Sequence, residues 1–389
     1  MELENIKLDI NFVKSQFPAF EDSLCKDWSF FENAGGSYVP QQVVDRLNKF
    51  MISNKVQPYA EYPMSKIAGN NMDKATELFA NMINASSKEI IIGGSTSINL
   101  YVLSNALKYS LKPGDEVIVT NQDHEANISP WRRLSEVGAI IKEWKMNPKT
   151  AELEIETLEK LLSDKTKIVA VTHCSNIVGS INDLKKISKL VHEKNAIIIG
   201  DGVSYAPHGF PNVKELDVDF YTFSLYKTYG PHLALLYGKE EILKKLPNQN
   251  HEFLKDSYPY TINPGGPNHE ELSSLIGIYE ESKLSCSTHP HNTYIQILAE
   301  TGIIGFFFII IALYYFSKYI IKHIRFKFNA SQYFNDFEIC ILSGIAIYLW
   351  PFIPTGSFFT NMTQIYLTFL LTIIFMIENQ LFNKSYKAK

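Results

Sequence analysis

Five short polar runs between residues 93 and 227 carry side chains that could do chemistry. Gly93-Gly94-Ser95-Thr96-Ser97 sets three hydroxyls at the start of a predicted helix. Free backbone N–H groups there attract an anion such as a phosphate, although an ordinary N-cap needs only one hydroxyl. Asp123-His124-Glu125-Ala126-Asn127 puts an acid beside an imidazole, and His173-Cys174-Ser175-Asn176 is a second polar cluster. Gly200-Asp201-Gly202 holds one acid, and Ser224-Leu225-Tyr226-Lys227 holds an amine beside an aromatic ring. Singly, each has a plain structural reading. Asp201 caps a turn, His124 is a core histidine, and Lys227 lays its stem along an apolar surface. Together they offer a phosphate site, a flat ring, an acid and a nucleophilic amine.

The elements that must position them alternate. Strands are predicted at Glu89–Ile92, Glu116–Thr120, Ile168–Thr172, Ala196–Ile199, Phe220–Phe223 and Leu233–Tyr237. Helical spacing runs through Ser95–Leu111, with Leu100, Leu103 and Leu107 on one face, and through Leu184, Ile187, Leu190 and Val191. Strands apolar throughout and joined by helices predict an α/β fold, a mostly parallel sheet with helices on both faces. Such sheets bind ligands at the carboxyl ends of their strands, and each polar run directly follows a predicted strand.

With these motifs assembled, residues 30–280 resemble the class V aminotransferase and cysteine desulfurase group of fold-type I pyridoxal-phosphate enzymes. The motifs are FFENAGGSYVP (30–40), GGSTSINLYVLSNAL (93–107), PGDEVIVTNQDHEANISPW (113–131), VTHCSNIVGSIND (171–183), IIIGDGVSYAPHG (197–209), FSLYKTYGPHLALLYG (223–238) and NPGGPNHEE (263–271). The resemblance implies pyridoxal 5'-phosphate as cofactor, an amino-acid substrate and a homodimer. It implies that Lys227 holds the cofactor as an internal aldimine and moves protons, that Asp201 pairs with the pyridine nitrogen, and that His124 stacks on the ring. It places Asn176 near the phenolic oxygen and makes Ser95, Thr96 and Ser224 phosphate ligands. Ser204 and His208 line the pocket, and the Asn33-Ala34-Gly35-Gly36 loop borders the substrate. Two positions depart from the pattern. Tyr226 stands where cysteine desulfurases have a histidine, and Gly266 where many relatives have a threonine reaching the neighbouring subunit's phosphate. The family's small C-terminal domain, with its arginine for the substrate carboxylate and, in desulfurases, its nucleophilic cysteine, has no match after residue 280. Impaired turnover is the expectation.

The remainder reads differently. Residues 301–317 carry no charge, and residues 339–377 contain no Asp, Glu, Lys or Arg. Runs near ~20 apolar residues predict membrane helices, placed at 301–321, 337–353 and 362–378. The expected organisation is a large domain at 1–280, a junction with a His-Pro-His-Asn loop at 281–300, and a membrane segment at 301–389. Cys286–Gln296, LAETGIIGFF (298–307) and PFIPTGSFFT (351–360) resemble the C-terminal part of the O-antigen ligase and polymerase family. That resemblance implies glycan transfer at an outward-facing loop carrying His289 and His291. The structural alternative is a loop that caps the entering helix. Lys318, Lys322, Arg325 and Lys327, and then Lys384, Lys387 and Lys389, follow the first and third segments. Positive-inside orientation puts those clusters in the cytoplasm and residues 1–280 outside. The family places that domain in the cytoplasm at the inner membrane. A junction of two genes, giving a chimera, would resolve the conflict. The net charge of −4, from 37 basic and 41 acidic residues, predicts no nucleic-acid partner. The four cysteines show no metal-ligand spacing, so no metal is expected.

Overall fold

A computed structural model of the chain describes residues 10–279 and Lys318. Residues 10–27 and 33–279 belong to one compact unit. Its centre is a seven-stranded sheet: β1 (Ile90–Gly93), β2 (Glu116–Thr120), β3 (Ile140–Trp144), β4 (Thr166–Thr172), β5 (Ile197–Asp201), β6 (Phe220–Ser224) and β7 (Ala234–Gly238). The strand order is β1-β7-β6-β5-β4-β2-β3. β7 runs antiparallel to both neighbours, and the other pairings are parallel. Every strand except β7 therefore points the same way, so the carboxyl ends of β1, β2, β4, β5 and β6 share one edge of the sheet.

The strands are apolar on both faces because both are covered. Ile118, Val169, Val171, Ile198, Tyr221 and Phe223 enter one core with Phe79 of helix Pro63–Met82 and Ile187 of helix Leu184–His192. Val117, Val119, Ile168, Ala170, Ile199 and Phe220 enter the other with Leu100, Leu103 and Leu107 of helix Thr96–Leu107. Leu100 and Leu103 are fully buried, and each such leucine contributes about 2–3 kcal/mol over an exposed one. The helices begin where their chemistry allows. Pro63 needs no donor at a first helical position, and the Asp183 carboxylate accepts from the Lys186 N–H at 3.0 Å.

The predicted strands agree with the observed ones to within one or two residues. The helix expected over 95–111 stops at Leu107 and tightens into a 3₁₀ turn at Lys108–Ser110. β3 was not anticipated: its sequence, IIKEW, alternates poorly because it is an edge strand with Ile140 in solvent. Among the described residues no helix is long and apolar enough to cross a membrane. Apart from Lys318, the segments predicted at 301–321, 337–353 and 362–378 lie outside the described residues, as do the junction at 281–300 and the loop with His289 and His291.

Candidate active site

Each polar run begins at or just beyond a strand end on the shared edge of the sheet. After β1, Ser95 caps helix Thr96–Leu107, and its Oγ accepts from the Ile98 N–H at 3.2 Å. Ser95 thus acts as the N-cap of this helix, a role compatible with donating its hydroxyl proton to a phosphate. Thr96 does something else: its buried hydroxyl lies 2.8 Å from that of Ser224, at the end of β6. Two hydroxyls from distant parts of the chain thus meet beside a helix N-terminus, a donor set suited to a phosphate.

The lysine turn follows β6. Leu225–Lys227 form one 3₁₀ turn, and the Lys227 ammonium lies 5.8 Å from the centre of the Tyr226 ring. The N-terminal loop is fastened to this turn. Asn33 Nδ2 donates to the Lys227 carbonyl at 3.2 Å. The Ser37 N–H donates to the Tyr226 carbonyl at 2.8 Å, and the Ser37 hydroxyl accepts from the Tyr229 N–H at 2.8 Å. Gly36, at φ +134°, brings the loop so close that an added Cβ would lie 3.2 Å from the Tyr226 carbonyl oxygen. Asn33 Oδ1 is buried without a hydrogen-bond partner among the described residues. Ala34 and Gly35 are exposed at the rim.

Asp201 ends β5 and is buried, with one carboxylate oxygen accepting from the Val203 N–H at 2.8 Å. Burial pushes its pKa up to about 6, against the pull of that N–H and of the Lys227 charge. His124, beyond β2, accepts from the Ala126 N–H through Nδ1 at 3.1 Å. Its pKa is lowered, first by burial and then by the Lys227 charge, which leaves a neutral ring at pH 7. Lys227 thus acts electrostatically on both the acid and the imidazole, which come from different strand ends. Ser204 is half-buried just past Asp201, while Asn176 and His208 are exposed on the rim. Among the described residues no cluster of His, Cys, Asp or Glu could hold a metal.

Sequence reasoning missed the layer beneath. Asp123 is buried, with its pKa raised well above the usual carboxylate range by burial and by the nearby Asp201. It accepts from the His124 N–H at 2.7 Å and from Asn127 Nδ2 at 2.6 Å, and Asn127 Oδ1 accepts from Trp131 Nε1 at 3.0 Å. The His173 N–H donates to the Asp201 carbonyl at 2.7 Å, the His173 ring is stacked on Tyr205 at 3.7 Å, and its Nδ1 lies 2.7 Å from the Tyr221 hydroxyl. Burial pushes the His173 pKa down to about 4. Gly202 leaves room for this arrangement, because a Cβ there would fall 2.1 Å from the Tyr221 hydroxyl. The available signal was adjacency: Asp123, Asn127 and His173 lie inside the quoted motifs, with burial invisible in the string.

The match to known proteins covers this same region. The model of the aminotransferase class-V family fits residues 29–252, and the chain belongs to that family. Its members depend on pyridoxal 5'-phosphate, and the residues here fit that group. A hydroxyl pair sits at a helix N-terminus, and a buried acid and a neutral imidazole lie within the field of one lysine. Aminotransferase-like protein FGM3 of Gibberella zeae is 42% identical over 288 residues, 72% of this chain and 67% of that one. Cysteine desulfurase-like protein ustD of Aspergillus flavus is 36% identical over 264 residues, 66% of this chain and 58% of that one. The solved cysteine desulfurase CsdA of Escherichia coli superposes with a TM-score of 0.65 at 25% identity, covering 72% of this chain and 73% of that one. The chain spans about three fifths of the length of several curated relatives it matches. These relatives give no support to the O-antigen ligase resemblance after residue 286, or to a junction of two genes.

Proposed function

We propose that the chain is a pyridoxal-phosphate-dependent enzyme of the class V aminotransferase and cysteine desulfurase type, acting on an amino acid, with Lys227 as the residue that attaches the cofactor. One juxtaposition carries the reading: Asp201, buried at one strand end, and His124, neutral at another, both lie within the field of Lys227. When bound, the cofactor's ring supplies an electron sink for the substrate carbon. The residues of the chain do the rest. Asp201 is costly to ionise alone and ionises readily beside a cation, so it holds a proton on the pyridine nitrogen. His124 presents an uncharged flat ring for stacking. Ser95, Thr96, Ser224 and the helix N-terminus hold the phosphate, with Ser95 also setting the helix start. Lys227, on a turn pinned by Asn33 and Ser37, takes and returns the proton at the substrate's α-carbon. Asn176, Ser204 and His208 line the mouth, where the amino acid enters. A homodimer accords with the family.

The test uses the purified full chain. Adding pyridoxal phosphate is expected to give a visible absorbance band that Lys227→Ala abolishes and Asp201→Ala alters. A band of wild-type intensity in Lys227→Ala would overturn the assignment. For residues 301–378 we propose a bilayer location on composition alone, since the stretch 339–377 holds no charged residue.

A further inference from the structure

Tyr226, directly before Lys227, stands where cysteine desulfurases carry a histidine, and an imidazole from six residues further on reaches it. The His232 ring lies flat on the Tyr226 ring, with 4.6 Å between centroids and 2° between planes. His232 Nδ1 lies 3.2 Å from the carbonyl oxygen of Gly94. A carbonyl oxygen can only accept, so Nδ1 carries the proton and donates it. Gly94 leads into Ser95 and Thr96, and Thr96 is hydrogen-bonded to Ser224 at 2.8 Å. Ser224 in turn is two residues before Tyr226. The contacts close on themselves: lysine turn, Tyr226 ring, His232 ring, Gly94, Thr96, Ser224 and back to the lysine turn.

We infer that His232 is a positioning residue for the phosphate loop, fastening Gly94 to the lysine-bearing turn through its stack on Tyr226. The inference rests on reading this site as a pyridoxal-phosphate pocket. The physics is preorganisation. Donors at a helix N-terminus bind an anion well only if the chain entering the helix is already fixed. A hydrogen bond from an exposed histidine contributes little when the ring can turn away. Here the stacked Tyr226 ring fixes its plane, so the Nδ1–H stays aimed at Gly94. The phosphate loop and the attachment point then keep one spacing, as a ligand carrying a phosphate and an aldehyde on one rigid ring requires.

The experiment compares pyridoxal phosphate with pyridoxal, which has the same ring and aldehyde and no phosphate. Both are titrated by absorbance into the full chain. His232→Leu is expected to weaken pyridoxal phosphate by about three- to tenfold, the worth of one hydrogen bond, and to leave pyridoxal unchanged. His232→Asn, which offers an amide donor but no ring to stack on Tyr226, is expected to recover little of the loss. An unchanged affinity ratio in His232→Leu overturns the inference, whether neither compound weakens or both weaken together, as would happen on general misfolding. Full recovery in His232→Asn also overturns it, because the stack on Tyr226 would then play no part. A wild-type chain that binds neither compound overturns the pocket reading itself and this inference with it.

Discussion

Asp201 shows how a functional residue is held in a form that disfavours the protein without its ligand. Its pKa is raised to about 6 by burial, against about 3.9 in an unfolded chain. The folded state therefore binds its proton more tightly than the unfolded state. Stability from this group is intact below about pH 4, falls between about pH 4 and 6, and stays low above that. The deficit at neutral pH is on the order of 2–3 kcal/mol. Without cofactor, Asp201→Asn is therefore expected to melt several degrees above wild type at pH 7.5, with the difference closing near pH 4. Added pyridoxal phosphate should reverse the order, because only the carboxylate gains from a cationic ring nitrogen. A cofactor-free Asp201→Asn protein that melts below wild type at pH 7.5 would contradict this account. The position and type of Asp201 were legible in the sequence. The stack of His173 on Tyr205 and the contact of His173 with Tyr221 were not, because they join segments distant in sequence.

At the scale of elements, the strand ends do the positioning, and this was legible because strands buried on both faces read as unbroken apolar runs. The edge strand β3 was not, since solvent on its outer side removes that signal. The buried supports were hidden for a related reason. Asn127 looks in sequence like any loop asparagine, yet it joins Asp123 to Trp131 in the interior. Asn127→Leu leaves a carboxyl group and an indole N–H without that partner. Each such loss costs about 1–3 kcal/mol. The expected result is a urea midpoint lowered by an amount equivalent to about 2–5 kcal/mol. A change within about 0.5 kcal/mol, the range of an ordinary surface substitution, would mean that this chain of bonds does not hold the His124 segment.

At the scale of the whole molecule, the sequence contains four arginines, Arg46, Arg132, Arg133 and Arg325. Arg132 and Arg133 are engaged with Glu143 and Glu136. A substrate carboxylate is best fixed by a bidentate arginine. With two of the four so engaged, transamination or desulfuration by the full chain is expected to be at least about a hundredfold slower than in its relatives, consistent with about 3 kcal/mol for a charged hydrogen-bonded contact. Turnover at a relative's rate on any amino acid would refute this. The apolar stretch 339–377 predicts that the full chain floats with liposomes in a density gradient. Recovery only at the bottom of the gradient would remove the bilayer proposal without touching the site. The central claim is tested most directly by borohydride reduction of the full chain with pyridoxal phosphate at neutral pH, followed by mass spectrometry of its peptides. The account predicts a single stable adduct, on the peptide containing Lys227, that disappears in Lys227→Ala. An adduct spread over surface lysines, or unchanged in Lys227→Ala, would contradict it.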